Sequence, residues 1–167
     1  GYGYIKWRNV TKEDELSASG DAYTSIDFPL FRTADAYLMA AEAILRGANG
    51  TQSEALGYVN EVRTRAYMSG KYAKNGVRSD VSGEIGANEL DLDFLLLERQ
   101  KELASELIRR TDLIRFGKYT KGNNWDWKNG VRLGEDVDDK YNLFPIPESE
   151  LTNNPTLVQN DGYKVIK

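Results

Sequence analysis

Thr33-Ala34-Asp35-Ala36-Tyr37-Leu38-Met39-Ala40-Ala41-Glu42-Ala43-Ile44-Leu45-Arg46-Gly47 decides the fold. Ala34, Tyr37, Leu38, Ala41, Ile44 and Leu45 recur at three- and four-residue steps, the spacing of one face of an α-helix. Small side chains at Ala40, Ala41 and Ala43 let another helix approach closely. Gly47 and Gly50 suit a helix C-terminus and a tight turn. Thr51-Gln52-Ser53-Glu54 then has the spacing of a capping box. It opens a second helix over 53–67, with Ala55, Val59, Val62 and Ala66 inward. So short a connection makes the pair an antiparallel hairpin. Its length is close to the roughly 34-residue period of tetratricopeptide units, although the letters of that repeat are mostly missing.

Working outward, residues 1–30 read as an extended lead-in, with Tyr2, Tyr4, Ile5 and Trp7 off any helical spacing. Residues 31–68 hold the hairpin. Residues 69–90, rich in Gly, Ser, Asn and Asp, read as a long loop, of a length usually functional or mobile in a compact domain. Residues 91–117 hold a second helical pair. Leu92, Leu95, Leu96, Leu103 and Leu107 form the apolar stripe of its first helix, with Glu98/Lys101 and Arg99/Glu102 on an exposed face. The second runs from Arg110 to Gly117, with Leu113, Ile114 and Phe116 inward. Residues 118–167 are a Trp-rich loop followed by a packed, proline-rich tail. Pro145 and Pro147 fix two φ angles and hold Phe144 and Ile146 extended, and both of those side chains are expected to be buried. Pro147 also suits the start of a helical turn. The chain reads as all-α, in tetratricopeptide-like hairpins with long irregular loops.

Composition narrows the chemistry. The 167 residues are 40% hydrophobic, enough for one core, and carry 22 basic and 26 acidic side chains for a net charge of −4. Nothing basic is clustered, which argues against nucleic acid as a partner. No Cys and no His are present. That removes thiol nucleophiles, the Ser-His-Asp arrangement and most transition-metal sites. Asp136, Asp138 and Asp139, or Glu148 and Glu150, would need to face each other across a cleft at about 5 Å or roughly 6.5–9.5 Å to hydrolyse glycosides. Carboxylates clustered in a polar loop are usually solvated instead, so no enzyme is expected. Asp27, with Asp21 nearby, offers oxygen ligands of the kind Ca²⁺ takes, but far fewer than the six to eight required.

Four blocks, in order, carry a resemblance. They are Asp27-Phe28-Pro29-Leu30-Phe31-Arg32 running into Ala36-Tyr37-Leu38 and Ala40-Ala41-Glu42-Ala43; Val59-Asn60-Glu61-Val62-Arg63-Thr64-Arg65-Ala66; Phe94-Leu95-Leu96 with Glu98-Arg99, Glu102-Leu103 and Arg109-Arg110-Thr111-Asp112-Leu113-Ile114-Arg115-Phe116-Gly117-Lys118; and Leu143-Phe144-Pro145-Ile146-Pro147-Glu148-Ser149-Glu150-Leu151 through Asn154-Pro155 to Gln159-Asn160-Asp161-Gly162-Tyr163. Together they resemble the C-terminal third of SusD/RagB proteins, lipoproteins that capture nutrients, mostly glycans, in Bacteroidetes-type bacteria. Trp125-Asp126-Trp127-Lys128-Asn129-Gly130 is similar to a Trp-rich loop of part of that family. Two departures stand out. Glu106-Leu107-Ile108 replaces the Glu-Gly that often precedes the Arg-Arg pair, which predicts a straighter helix there. Asn129 stands where Gly is frequent.

The resemblance implies a non-catalytic, glycan-binding component of an outer-membrane polysaccharide uptake system. It implies surface display, a lipid anchor on an N-terminal Cys absent from this chain, a SusC-like TonB-dependent transporter as partner, and an oligosaccharide as ligand. It leaves room for Ca²⁺ in a longer parent. The alternative is a structural module that docks the transporter without binding sugar.

Among single residues, Trp125, Trp127, Trp7, Tyr119 and Tyr141 offer aromatic faces that suit the C–H face of a pyranose. Lys128 and Asn129 would supply hydrogen bonds to hydroxyls. The opposing reading, that these rings pin the loop onto the helices, is the favoured one. Arg110, Asp112 and Arg115 read as a helix ion-pair motif, with Asp112 facing Arg109 and Arg115, in preference to an anion clamp. Pro145, Pro147, Asn160, Gly162 and Tyr163 read as structural tail positions.

Overall fold

The computed structural model describes residues 26–68 and 83–164, together with Lys6 and Glu15. Among them it is all-α, in the order α1 (Thr33–Leu45), α2 (Gln52–Met68), α3 (Leu92–Glu102), α4 (Arg109–Arg115) and α5 (Glu148–Asn153), with no strand. Short 3-10 turns stand at Lys128–Gly130 and Asp139–Asn142.

The hairpin forms as its sequence dictates, except that Ala66, expected inward, is exposed. Gly47 takes φ +98° after α1. Gly47 N–H then reaches Ile44 O and Ala48 N–H reaches Ala43 O, a glycine-dependent closure of the last helical carbonyls. Across the turn, the Thr51 N–H and hydroxyl donate to Glu54 Oε2, while Glu54 N–H donates to Thr51 Oγ1. The capping box is therefore reciprocal. Leu38, Ala41, Ala55 and Val59 lose all exposure between the two helices, with Val62 and Leu95 beside them. Tyr37 stacks on Tyr58 at 5.6 Å at the edge of this core. Burying Leu38 alone is worth roughly 1.5–3 kcal/mol. The lead-in aromatics Tyr2, Tyr4, Ile5 and Trp7, and residues 69–82 of the long loop, lie outside the described residues.

Asn60 holds the return segment to α2. Its Nδ2 donates to Ile85 O and its Oδ1 accepts from Ile85 N–H, so one amide side chain does the work of a neighbouring strand. Ile85 and Leu90 then close one side of the core. Asp91 caps α3 by accepting from Phe94 N–H at 2.7 Å.

Four further expectations change. Glu98 and Arg99 are buried, not on an exposed face. Glu98 pairs with Arg63 at 2.6 Å, and Arg99 turns toward α1 and α4 instead of Glu102. Second, α3 ends at Glu102 and does not run on through Leu107. Ser105 and Leu107 both take positive φ, 60° and 62°, so the chain breaks there even without glycine. Third, Asp112 pairs with Arg115 at 2.7 Å and with Arg99, whereas Arg109 donates to Leu96 O.

The fourth concerns the tail. Ile146 is half-buried, but Phe144 is 71% exposed. One face of its ring is covered by the Arg110 guanidinium at 4.1 Å, which satisfies the ring without burying it. The tail is fastened by polar bonds. Gln159 Nε2 donates to Ile146 O and Gln159 Oε1 accepts from Ile146 N–H. Asn160 Nδ2 donates to Phe144 O, and Tyr163 Oη donates to Leu143 O.

Candidate functional site

Residues 118–142 form a loop without regular structure beyond two 3-10 turns, yet side chains close it at every level. Thr120 sits at its base, donating from Oγ1 to Asp139 Oδ1 at 2.6 Å and accepting Val137 N–H at 2.9 Å. The Thr120 hydroxyl, with Lys121, holds the Asp139 carboxyl below its usual pKa. Gly122 N–H donates to Asp136 Oδ1. Asn124 Nδ2 donates to Lys118 O and Lys121 O. Asn129 Nδ2 donates to Glu135 Oε1 at 2.8 Å.

This frame presents the two Trp rings outward. Trp127 is 65% exposed and its backbone is left-handed, φ +65°. A bulky residue in that region is uncommon and marks a position held by its surroundings. Trp125 is partly exposed and leans on Tyr119 at 5.7 Å. Tyr119 in turn lies 4.9 Å from the Arg110 guanidinium, which covers Phe144 on the tail. Trp125, Tyr119, Arg110 and Phe144 thus form one continuous stack from loop to tail. Tyr119 is half-buried and Trp125 partly exposed, whereas Trp127 touches solvent across most of its surface.

Lys128 is placed otherwise than a sugar contact requires. It is buried, its Nζ donates to Gly122 O at 2.7 Å, and it lies 5.1 Å from the Trp125 ring. Asn129 likewise spends its amide on Glu135. Lys128 supports the loop from within, and the exposed Asn129 fastens it to Glu135 at the surface. Asp27 is exposed, Asp21 lies outside the described residues, and no group of three or more candidate metal ligands occurs among the described residues.

The acidic pairs hold turns. Asp136 accepts from Gly122 N–H, Asp138 from Lys140 N–H, and Glu148 and Glu150 stand exposed in the first turn of α5. A buried general acid is not built from them. Sequence reading missed Arg110 as the middle of the stack and Leu133 as an exposed apolar side chain in the same loop. Arg110 had a signal: it lies on a short helix next to a loop and a tail both rich in aromatics. Leu133 had none.

Comparison with known proteins agrees with this architecture. The family model described as the SusD family matches residues 1–163. The starch-binding protein SusD of Bacteroides thetaiotaomicron is 38% identical over 165 residues, 98% of this chain and 26% of that protein. A SusD-like protein of Formosa agariphila is 34% identical over 141 residues, 80% of this chain and 23% of its own. A second one from the same organism is 30% identical over 151 residues, 89% of this chain and 28% of its own. The chain spans about a quarter of the length of the curated relatives it matches. On the match over nearly all of its residues, the chain belongs to the SusD family.

Proposed function

We propose that this chain is part of a non-catalytic glycan-binding component of an outer-membrane uptake system. In this reading the protein is surface-displayed and lipid-anchored through a Cys outside these residues. It works with a SusC-like TonB-dependent transporter. The observation that carries its own share of binding is Trp127, exposed and held left-handed on a loop closed by side chains. A flat exposed ring on a fixed frame binds a pyranose face without first ordering itself. Residues 118–142 carry five basic and five acidic side chains, so the loop has no net charge to select an ionic sugar. A neutral glycan fits. Because a relative is named a starch-binding protein, an α-glucan is the first ligand to test.

Binding by these rings alone is weak, with a Kd on the order of 1 mM, about −4 kcal/mol. Titration of maltoheptaose into wild type, Trp125→Ala and Trp127→Ala, read by intrinsic fluorescence with thermal melts alongside, checks this. Loss of binding in folded Trp127→Ala supports the platform. Unchanged binding in both folded variants rules it out and favours a module that only docks the transporter.

A further inference from the structure

Asn49-Gly50, Asn75-Gly76 and Asn129-Gly130 are the chain's three Asn-Gly pairs. The second lies outside the described residues. The other two stand in turns and are held in opposite ways.

Asn49 and Gly50 are exposed in the connection between α1 and α2. The chain is fixed on either side of them: Ala48 N–H reaches Ala43 O, and Thr51 N–H reaches Glu54 Oε2. Between these points neither Asn49 nor Gly50 makes a hydrogen bond among the described residues, from backbone or side chain. Packing makes position 50 a glycine. Its φ is +143°, and a Cβ there would sit 2.7 Å from Cδ1 of Ile44, a half-buried side chain of α1. The Gly50 nitrogen is therefore unshielded by a side chain of its own, next to an amide that nothing holds. Asn129 and Gly130 are tied at both atoms that would react. Asn129 Nδ2 donates to Glu135 Oε1 at 2.8 Å and to Asp136 O at 3.4 Å, and Gly130 N–H donates to Trp127 O at 2.9 Å.

We propose that Asn49 is a site of self-modification, at which the Gly50 nitrogen closes on the Asn49 side chain and converts it to aspartate or isoaspartate. A solvent base takes the Gly50 N–H proton, the nitrogen bonds to Asn49 Cγ, and the Cγ–Nδ2 bond breaks. Nδ2 takes the proton back from the protonated base and leaves as ammonia. Water then opens the resulting succinimide. Addition at Cγ gives aspartate; addition at the backbone carbonyl gives isoaspartate, whose chain runs through Cβ. Asn is thermolabile for this reason, and no oxidant, metal or enzyme is required. Either product takes the net charge from −4 to −5. Aspartate sets that charge ahead of the first turn of α2, where the helix dipole favours it. Isoaspartate lengthens the connection by one methylene between two fixed points. The inference is separate from the Trp platform and stands whether or not that loop binds sugar.

Site-resolved peptide mapping tests it. The protein, expressed from its full reading frame, is held in mildly alkaline buffer, folded in one sample and in urea in another, and conversion at each Asn-Gly pair is followed by mass spectrometry. In the folded protein Asn49 should convert at least about tenfold faster than Asn129, whose hydrogen bonds must open first. In urea the two rates should converge. An intact Asn49, or equal or faster conversion at Asn129 in the folded protein, overturns the proposal. So does a difference that persists in urea, because neighbouring sequence and not the fold would then set it.

Discussion

Arg99 donates from Nε to Asp112 Oδ2 at 2.8 Å, and both side chains are almost completely buried. The same guanidinium lies 2.8 Å from Asp35, paired as charges but without hydrogen-bond alignment at Asp35 Oδ1. One cation therefore ties α1, α3 and α4. Removing it leaves two buried carboxylates, so Arg99→Met should cost about 3–5 kcal/mol by urea unfolding. Arg99→Lys should recover little, because a single ammonium cannot serve two carboxylates in the fork geometry of a guanidinium. Near-native stability of Arg99→Lys would count against this role.

Leu107 stands exposed at φ +62°. The left-handed conformation costs a side-chain-bearing residue about 1–2 kcal/mol, and glycine returns part of that through its freer unfolded chain. Leu107→Gly should thus stabilise the 167-residue chain by about 0.5–1 kcal/mol, raising Tm by a few degrees. Leu107→Val should lower it. A drop in Tm for the glycine variant would contradict the assignment.

Glu106 gives a pH dependence with a definite sign. Burial pushes its carboxyl pKa up, but the hydrogen bonds from Arg32 and Lys6 and their charges outweigh burial and hold it below the usual value. A carboxyl with a depressed folded pKa contributes stability that is full above its unfolded pKa, about 4.3. That contribution fades as pH falls toward the folded value. Glu106→Gln should accordingly flatten the loss of stability between about pH 5 and pH 3. An unchanged slope would exclude it.

Gln159 should protect the amides of Ile146 and Asn160, which both donate to its Oε1. Its side chain is the hydrogen-bond partner of both backbone groups of Ile146. In Gln159→Ala, hydrogen exchange at Ile146 N–H should accelerate about tenfold, or ~1.4 kcal/mol, with amides of the α1–α2 hairpin unchanged.

Gly134 bears on the sugar platform. A Cβ there would sit 2.6 Å from Trp125 O, at a backbone φ of +74°. Gly134→Ala should displace Trp125, destabilise the loop by about 1 kcal/mol and weaken maltoheptaose binding. The hairpin should stay intact by circular dichroism. Native-like binding in this variant would show that the loop's shape does not matter.

The sequence made the hairpin legible because its code is local. Leu38 and Val59 announce themselves by spacing, and Thr51 and Glu54 by a motif four residues long. Arg99 was misread for the opposite reason: charges on a helix normally face water, and its partner Asp35 lies far back along the chain. The break at Leu107 was hidden because an apolar residue looks helical, while its left-handed backbone is imposed by the surrounding segment. At the Trp loop the residue types were visible, but not their directions. Lys128 points inward in a turn whose backbone is left-handed at three positions, Trp127, Asn129 and Gly130. No spacing rule reports that. Phe144 was expected to be buried because a cationic neighbour from another element cannot be seen in its own surroundings.

The guanidinium at the meeting point of three helices also bears on the order in which the chain assembles. Asp112 closes onto Arg99 across 13 residues, whereas Asp35 must return across 64. Chain-closure entropy alone makes the longer excursion costlier by about 1.4 kcal/mol. The α3–α4 contact can thus be in place at the folding barrier before α1 arrives. Damage at Asp112 would slow folding, while damage at Asp35 would mainly hasten unfolding. The same cation would be felt by the two ends of the reaction as two different kinetic events.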